Sequence, residues 1–142
     1  MAEYFRDLVS GGLPNPDPYH RAQGHLNVGD ILFSATRNFK LTLQADGNLV
    51  QYVIDDSTLP PDITQGQYPQ AIWSSGTKGW GAVRLTMQAD GDLVLYTAGN
   101  APVWHTDTQA FPGAFLRCQD DGNLVLLATD GRVLSATNIY AS

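Results

Sequence analysis

A phrase of twelve residues occurs three times in this chain, and its recurrence limits the fold more than any other feature. It reads LTLQADGNLVQY from Leu41 to Tyr52, LTMQADGDLVLY from Leu85 to Tyr96, and LRCQDDGNLVLL from Leu116 to Leu127. A unit this small cannot bury an apolar face alone, so the copies must pack together around a shared core. A second landmark accompanies the phrase: Trp73 lies 15 residues before Gln88, and Trp104 lies 15 residues before Gln119. Phe33 reads as the same landmark before Gln44 across a shorter loop, and Leu134 as its equivalent after the last copy. The second and third phrases start 31 residues apart, the first and second 44. The excess falls in residues 55–70, DDSTLPPDITQGQYPQ, a polar stretch with Pro60, Pro61 and Pro69 and no periodicity. That stretch reads as an inserted surface loop.

Parity inside each phrase predicts the local structure. If Ala45, Asp46 and Gly47 form a three-residue hairpin loop with Gly47 at positive φ, Gln44 faces Asn48 and side chains alternate outward from there. Leu41, Leu43 and Leu49 then share one face, and Gln44, Asn48, Val50 and Tyr52 the other. The second copy sorts Leu85, Met87, Leu93 and Leu95 against Gln88, Asp92, Val94 and Tyr96. The third sorts Leu116, Cys118, Leu124 and Leu126 against Gln119, Asn123, Val125 and Leu127. A two-residue Asp-Gly turn would instead put the Gln among the leucines, where an unpaired amide is costly. Gln51 is the exception on the apolar faces. Three such antiparallel sheets can close around an axis, with the tryptophans filling the centre rather than stacking on a ligand. Trp80, in the stretch GTKGWGA, stands outside the repeat and is the better candidate for an exposed aromatic.

Composition agrees with this and narrows the function. With 142 residues the chain suits one domain, and 43% hydrophobic, 15% charged, 14 Gly and 8 Pro favour a turn-rich all-β protein over a helical bundle. A net charge of −6 leaves no basic stripe for a nucleic acid or an anionic membrane. No segment is apolar enough for membrane insertion. Cys118 is alone, which excludes an intrachain disulfide and a thiolate metal site, and no cofactor is expected. Residues Met1 to Pro18 carry no signal-peptide pattern. The expected location is cytoplasmic or leaderless secreted, or extracellular if a signal was removed.

The outward face of the first copy offers two amides from Gln44 and Asn48, a carboxylate from Asp46, a phenol from Tyr52 and an apolar floor from Val50. A pyranose has the same mixture, with hydroxyls at its edge and C–H groups beneath. A purely structural role in the turn accounts for Asp46 and Asn48. It does not account for Gln44, Val50 and Tyr52 recurring as Gln88, Val94 and Tyr96.

The pattern Gln-x-Asp-x-Asn-x-Val-x-Tyr resembles the signature of the bulb-type, monocot mannose-binding lectins, and Gln44, Asp46, Asn48, Val50 and Tyr52 match it in full. The resemblance runs from about Leu26 to Thr137. It implies an all-β fold of the β-prism II type, three antiparallel sheets around a pseudo-threefold axis, with a mannose site on each. By that resemblance Asp and Asn hold the axial 2-hydroxyl, Gln the 3-hydroxyl and Tyr the 4-hydroxyl, while Val packs on the ring carbons. The second copy departs from it, with Asp92 in place of Asn beside Gln88, Asp90, Val94 and Tyr96. The third keeps Gln119, Asp121, Asn123 and Val125 but has Leu127 in place of Tyr. The first site is therefore expected to be the strongest. The missing disulfide suggests a relative outside the plant secretory group.

The implied partners are mannose and mannose-containing glycans, with a homodimer left open. The expected organisation is an N-terminal arm over residues 1–25 and a lectin domain over residues 26–142. Competing functions find less support. Counting an EF-hand loop forward from Asp46, Asp90 and Asp121 reaches Ser57, Ala101 and Arg132, none of them acidic. His20, His25 and His105 are scattered, no nucleophile motif occurs, and the acids lie in turns, so no enzyme is expected. A β-trefoil would carry a Gln-x-Trp pair, which is absent. The alternative that stays open is a β-prism interaction or toxin-like module with degenerate sugar sites.

Overall fold

The computed structural model describes residues 4–5, 7–9, 21–54 and 70–137, so the insertion, apart from Gln70, lies outside the described residues. Every element among them is a strand, and the strands form three sheets. The first has the order β1 (Tyr4–Phe5), β5 (Ile31–Phe33), β6 (Phe39–Leu43), β7 (Leu49–Val53) and β8 (Gln70–Ser74). The second runs β11 (Pro102–His105), β10 (Leu93–Thr97), β9 (Ala82–Met87) and β4 (His25–Asn27). The third runs β14 (Val133–Ala136), β13 (Leu124–Leu127), β12 (Phe115–Cys118), β2 (Asp7–Val9) and β3 (Arg21–Gln23).

Each sheet has an antiparallel core of four strands, and β1 and β3 add short parallel partners at two edges. Three strands of each core come from one repeat: β6–β8, β9–β11 and β12–β14. The fourth comes from the chain ahead of the first repeat, as β5, β4 and β2 respectively. These fourth strands share one register rule, in which a single leucine faces the leucine that opens each phrase. The pairs are Leu32 with Leu41, Leu26 with Leu85, and Leu8 with Leu116, all buried. The stretch set apart above as an N-terminal arm thus pairs, in its described part, with sheets of its own chain. Arg117 reinforces the last pairing with a two-pronged ion pair to the buried carboxylate of Asp7, at 2.8 and 3.0 Å.

The parity reading holds in all three copies. Leu41, Leu43, Leu49, Leu85, Met87, Leu93, Leu95, Leu116, Cys118, Leu124 and Leu126 all lie in one core cluster. Gln51 is also fully buried, and its Nε2 donates to the carbonyl of Gly122 at 2.8 Å, tying the first sheet to the third hairpin tip. Leu95 and Leu126 stand at the corresponding places in the other sheets.

The central landmark needs one correction. Trp73 and Trp104 meet edge to face, with centroids 6.2 Å apart and planes at 67°. Pairing places Trp73 opposite Gln51, Trp104 opposite Leu95 and Ser135 opposite Leu126, so Ser135, not Leu134, is the third equivalent. Leu134 still packs on the core, one residue off, beside a register shift. Phe33 belongs to a fourth strand, faces Lys40 across the sheet and carries the Arg37 guanidinium over its ring, so it is no counterpart of the tryptophans. With a serine where two sheets have tryptophan, a cavity of about 160 Å³ opens there, lined by Trp73, Trp104, Leu116, Leu126 and Ser135 among others.

Candidate functional site

The hairpin tips set the site geometry. In the first, the Gln44 N–H donates to the Asn48 carbonyl and the Gly47 N–H to the Gln44 carbonyl, both at 2.9 Å. That is the three-residue loop, closed by Gly47 at φ 86°. The same pair of bonds recurs between Gln88, Gly91 and Asp92 and between Gln119, Gly122 and Asn123. Gly91 has a second reason to lack a side chain, because a Cβ there would lie 2.1 Å from the carbonyl oxygen of Phe111.

The tip brings the expected polar groups together and occupies part of each with the protein itself. Asp46 Oδ1 accepts the Asn48 N–H at 2.9 Å, and Asp90 and Asp121 do the same for Asp92 and Asn123 at 2.9 and 2.8 Å. Asn48 Oδ1 accepts from the Thr77 N–H at 3.2 Å and the Ser75 hydroxyl at 3.4 Å, which turns its amide nitrogen away from that loop. Gln44 Nε2 donates to the hydroxyl of Tyr52, and Gln88 Nε2 to that of Tyr96. Lys40 lies over the Tyr52 ring at 5.5 Å and Arg84 over the Tyr96 ring at 4.8 Å, which helps to fix each phenol.

The bonds within the protein leave one carboxylate oxygen of Asp46, the amide nitrogen of Asn48, the amide oxygen of Gln44 and the hydroxyl hydrogen of Tyr52 without a partner among the described residues. Two acceptors and two donors are therefore available around the first tip, where Gln44, Asn48 and Tyr52 are half-buried and Asp46 is exposed. Val50, Val94 and Val125 are buried yet stand apart from the core cluster, as parity requires of the outward side. They form a recessed floor and not an exposed one.

The other two sites differ where their sequences do. In the second, Asp92 Oδ1 accepts from the Thr108 N–H at 3.2 Å, as the Asn48 oxygen does from Thr77. Asp92 Oδ2 replaces the outward amide nitrogen, and Nδ1 of His105 takes it up at 3.0 Å. A partner on the neighbouring strand thus answers the extra carboxylate. His105 pairs with Val94, the place that Ser74 holds beside Val50 and Ala136 beside Val125. In the third site Thr137 donates to Asn123 Oδ1 at 3.2 Å, but Leu127 pairs with Phe115, so the phenol end of the hollow is apolar.

Sequence reasoning missed the hydroxyl residues that orient the tips. Ser75, Thr106 and Thr137 each hold the N–H of the leucine after the tip, at 3.1 to 3.2 Å. Thr77 and Thr108 donate to the carbonyls of Gly47 and Gly91 at 2.7 and 2.6 Å. The sequence carries a signal for them: Trp73 is followed two and four residues later by Ser75 and Thr77, and Trp104 by Thr106 and Thr108. His105 looks scattered in the sequence because it meets Asp92 only through the pairing of β10 with β11.

No protein-family model and no curated protein matches the sequence. Solved structures do. The Japanese Marasmius oreades lectin superposes with a TM-score of 0.73 at 26% identity, covering 98% of this chain and 97% of that one. By fold the chain is similar to the bulb-type mannose-binding lectins. The mannose-specific agglutinin of snowdrop (Galanthus nivalis) bulbs, solved with methyl-α-D-mannoside, superposes at 0.64 with 28% identity over 96% and 99% of the two chains. A monomeric monocot mannose-binding lectin from Gastrodia elata gives 0.68 with 26% identity over 95% and 98%. The three sheets are those the repeats predicted, and their β-prism II type is the one the resemblance implied.

Proposed function

We infer that this chain is a mannose-binding lectin that holds terminal mannosyl residues in shallow hollows on its sheets, the first hollow being the most complete. The carrying observation is the division of labour at the first tip. Asp46, Asn48 and Gln44 each use one polar atom to fix the site and leave another for a ligand, and Tyr52 accepts through its oxygen and leaves its hydroxyl hydrogen to donate. Such a set is already ordered, so little side-chain freedom is lost on binding.

In this reading the free Asp46 oxygen and the Asn48 amide nitrogen accept from and donate to the axial 2-hydroxyl. The equatorial 2-hydroxyl of glucose would miss both. The Gln44 oxygen takes the 3-hydroxyl, Tyr52 donates to the 4-hydroxyl, and Val50 underlies the ring carbons. The second site, with Gln88, Asp90, Asp92, Val94 and Tyr96, lacks the outward amide. The third, with Gln119, Asp121, Asn123 and Val125, lacks the phenol. Both are weaker sites. The solved relatives named above are lectins, and a binding role without catalysis is the reading they support.

The test is titration calorimetry with methyl α-mannoside on the wild type and on Tyr52→Phe. One neutral hydrogen bond is worth about 0.5–1.5 kcal/mol, so affinity at the first site is expected to fall by about twofold to tenfold while the melting temperature holds. Unchanged affinity in the variant would remove Tyr52 from the site.

A further inference from the structure

Among the residues whose side chains are described, Trp80 is the exposed aromatic, at 55%, and no part of the core uses it. Its loop is fastened to the first hairpin tip. The Gly79 N–H donates to the Asp46 carbonyl at 2.7 Å, Thr77 Oγ1 to the Gly47 carbonyl at 2.7 Å, and the Thr77 N–H to Asn48 Oδ1 at 3.2 Å. On the other side a Cβ on Gly81 would lie 3.8 Å from Thr97, where the turn of the second sheet begins. The backbone at Trp80 is therefore held next to the first hairpin tip, between Asp46 and the 97–101 turn.

The second repeat has a counterpart that behaves differently. The Trp80 N–H donates to the Thr77 carbonyl at 3.0 Å, and the Phe111 N–H to the Thr108 carbonyl at 3.2 Å, so the two aromatics hold equivalent places. Phe111 packs against the core and carries the Arg132 guanidinium 5.2 Å from its ring centre. Arg132 closes the turn after β13 by accepting the Ala128 N–H. The residue closing the same turn after β10 is Ala101, which accepts the Thr97 N–H and has no side chain able to reach a ring. Trp80 is bare because the residue that would cover it is an alanine.

We propose that Trp80 is the platform of a second subsite, on which the next pyranose of a mannosyl oligosaccharide stacks when the terminal residue fills the first hollow. The inference rests on the function proposed above. An indole face offers the C–H side of a pyranose a flat apolar surface, and one ring is far too small for a protein interface. A second ring tethered to a bound first one arrives at a high effective concentration, so even a weak platform adds affinity. Of the three tips, only this one joins a complete polar set to an uncovered aromatic among the described residues.

The test compares methyl α-mannoside with α-1,3- and α-1,6-linked mannobiosides by calorimetry, on the wild type, Trp80→Ala and Trp80→Phe. The indole N–H signal of Trp80, identified by its loss in the variants, is followed by nuclear magnetic resonance. The wild type is expected to prefer at least one mannobioside by about fivefold, the effect of burying some tens of Å² of apolar surface, and to shift the Trp80 signal with it. Trp80→Ala removes the preference and leaves monosaccharide affinity unchanged, while Trp80→Phe keeps most of it. Equal mannobioside preference in wild type and Trp80→Ala overturns the subsite. So does an equal loss for both ligands, which makes Trp80 a support of the first hollow only. A wild type that binds no monosaccharide removes the underlying function, and the subsite falls with it.

Discussion

At the scale of single residues the three tips are natural variants of one design, and the variation predicts affinity. Asp92 is the sharpest case, because its second oxygen stands where the first site has an amide donor and is held by His105 at 3.0 Å. Asp92→Asn restores the donor and removes a carboxylate facing Asp90. Mannoside affinity at the second site is expected to rise about fivefold, close to the value of one hydrogen bond, as read by calorimetry. No gain in that variant would show that His105 already supplies what the amide would. Cys118 makes a different prediction. Burial, and then the nearby charge of Asp120, push its thiol up to about 12. The folded state therefore keeps the neutral thiol where the unfolded chain ionises. Its contribution is fully present below pH 9 and is lost as pH climbs toward 12. A thiol reagent at pH 8 is expected to label Cys118 only as fast as the chain unfolds. Rapid labelling under native conditions would contradict its burial.

At the scale of elements, the fold shows which strands a repeat can announce and which it cannot. Hairpins β6–β7, β9–β10 and β12–β13 were legible because alternation and a glycine at positive φ leave a single register that buries leucines and exposes glutamines. The fourth strands β2, β4 and β5 were not. Each has three residues and contributes one leucine to the core, too short a run for a period to be read. Their membership rests on long-range pairing, most visibly in the ion pair of Asp7 with Arg117, 110 residues away. Arg117→Met would leave the fully buried Asp7 carboxylate without its guanidinium, at a cost of about 3 kcal/mol. A denaturation midpoint measures this, and a shift under about 0.5 kcal/mol would mean that β2 is held by Leu8 and backbone pairing alone. The site was half legible for a similar reason. Gln44, Asp46, Asn48 and Tyr52 recur in sequence, whereas Ser75, Thr77 and His105 meet them only through the pairing of β7 with β8 and of β10 with β11.

At the scale of the whole molecule, the three candidate sites lie on three different sheets. On the proposed function each is a separate shallow site, with an expected affinity of about millimolar order. Useful binding then comes from clustered or branched glycans that engage several faces or several molecules, where avidity adds about two to four orders of magnitude. The architecture also explains why one end of the axis is less well filled. Two tryptophans and a serine meet there, and the cavity beside Ser135 follows from that mismatch. All of this depends on a pyranose fitting the hollow between Asp46 and Tyr52. A crystal soaked in methyl α-mannoside tests that fit most directly. The expected result is a ring above Val50, with its 2-hydroxyl between Asp46 and Asn48 and its 4-hydroxyl at Tyr52. An empty first hollow at saturating sugar, or a sugar bound only elsewhere, would contradict the account.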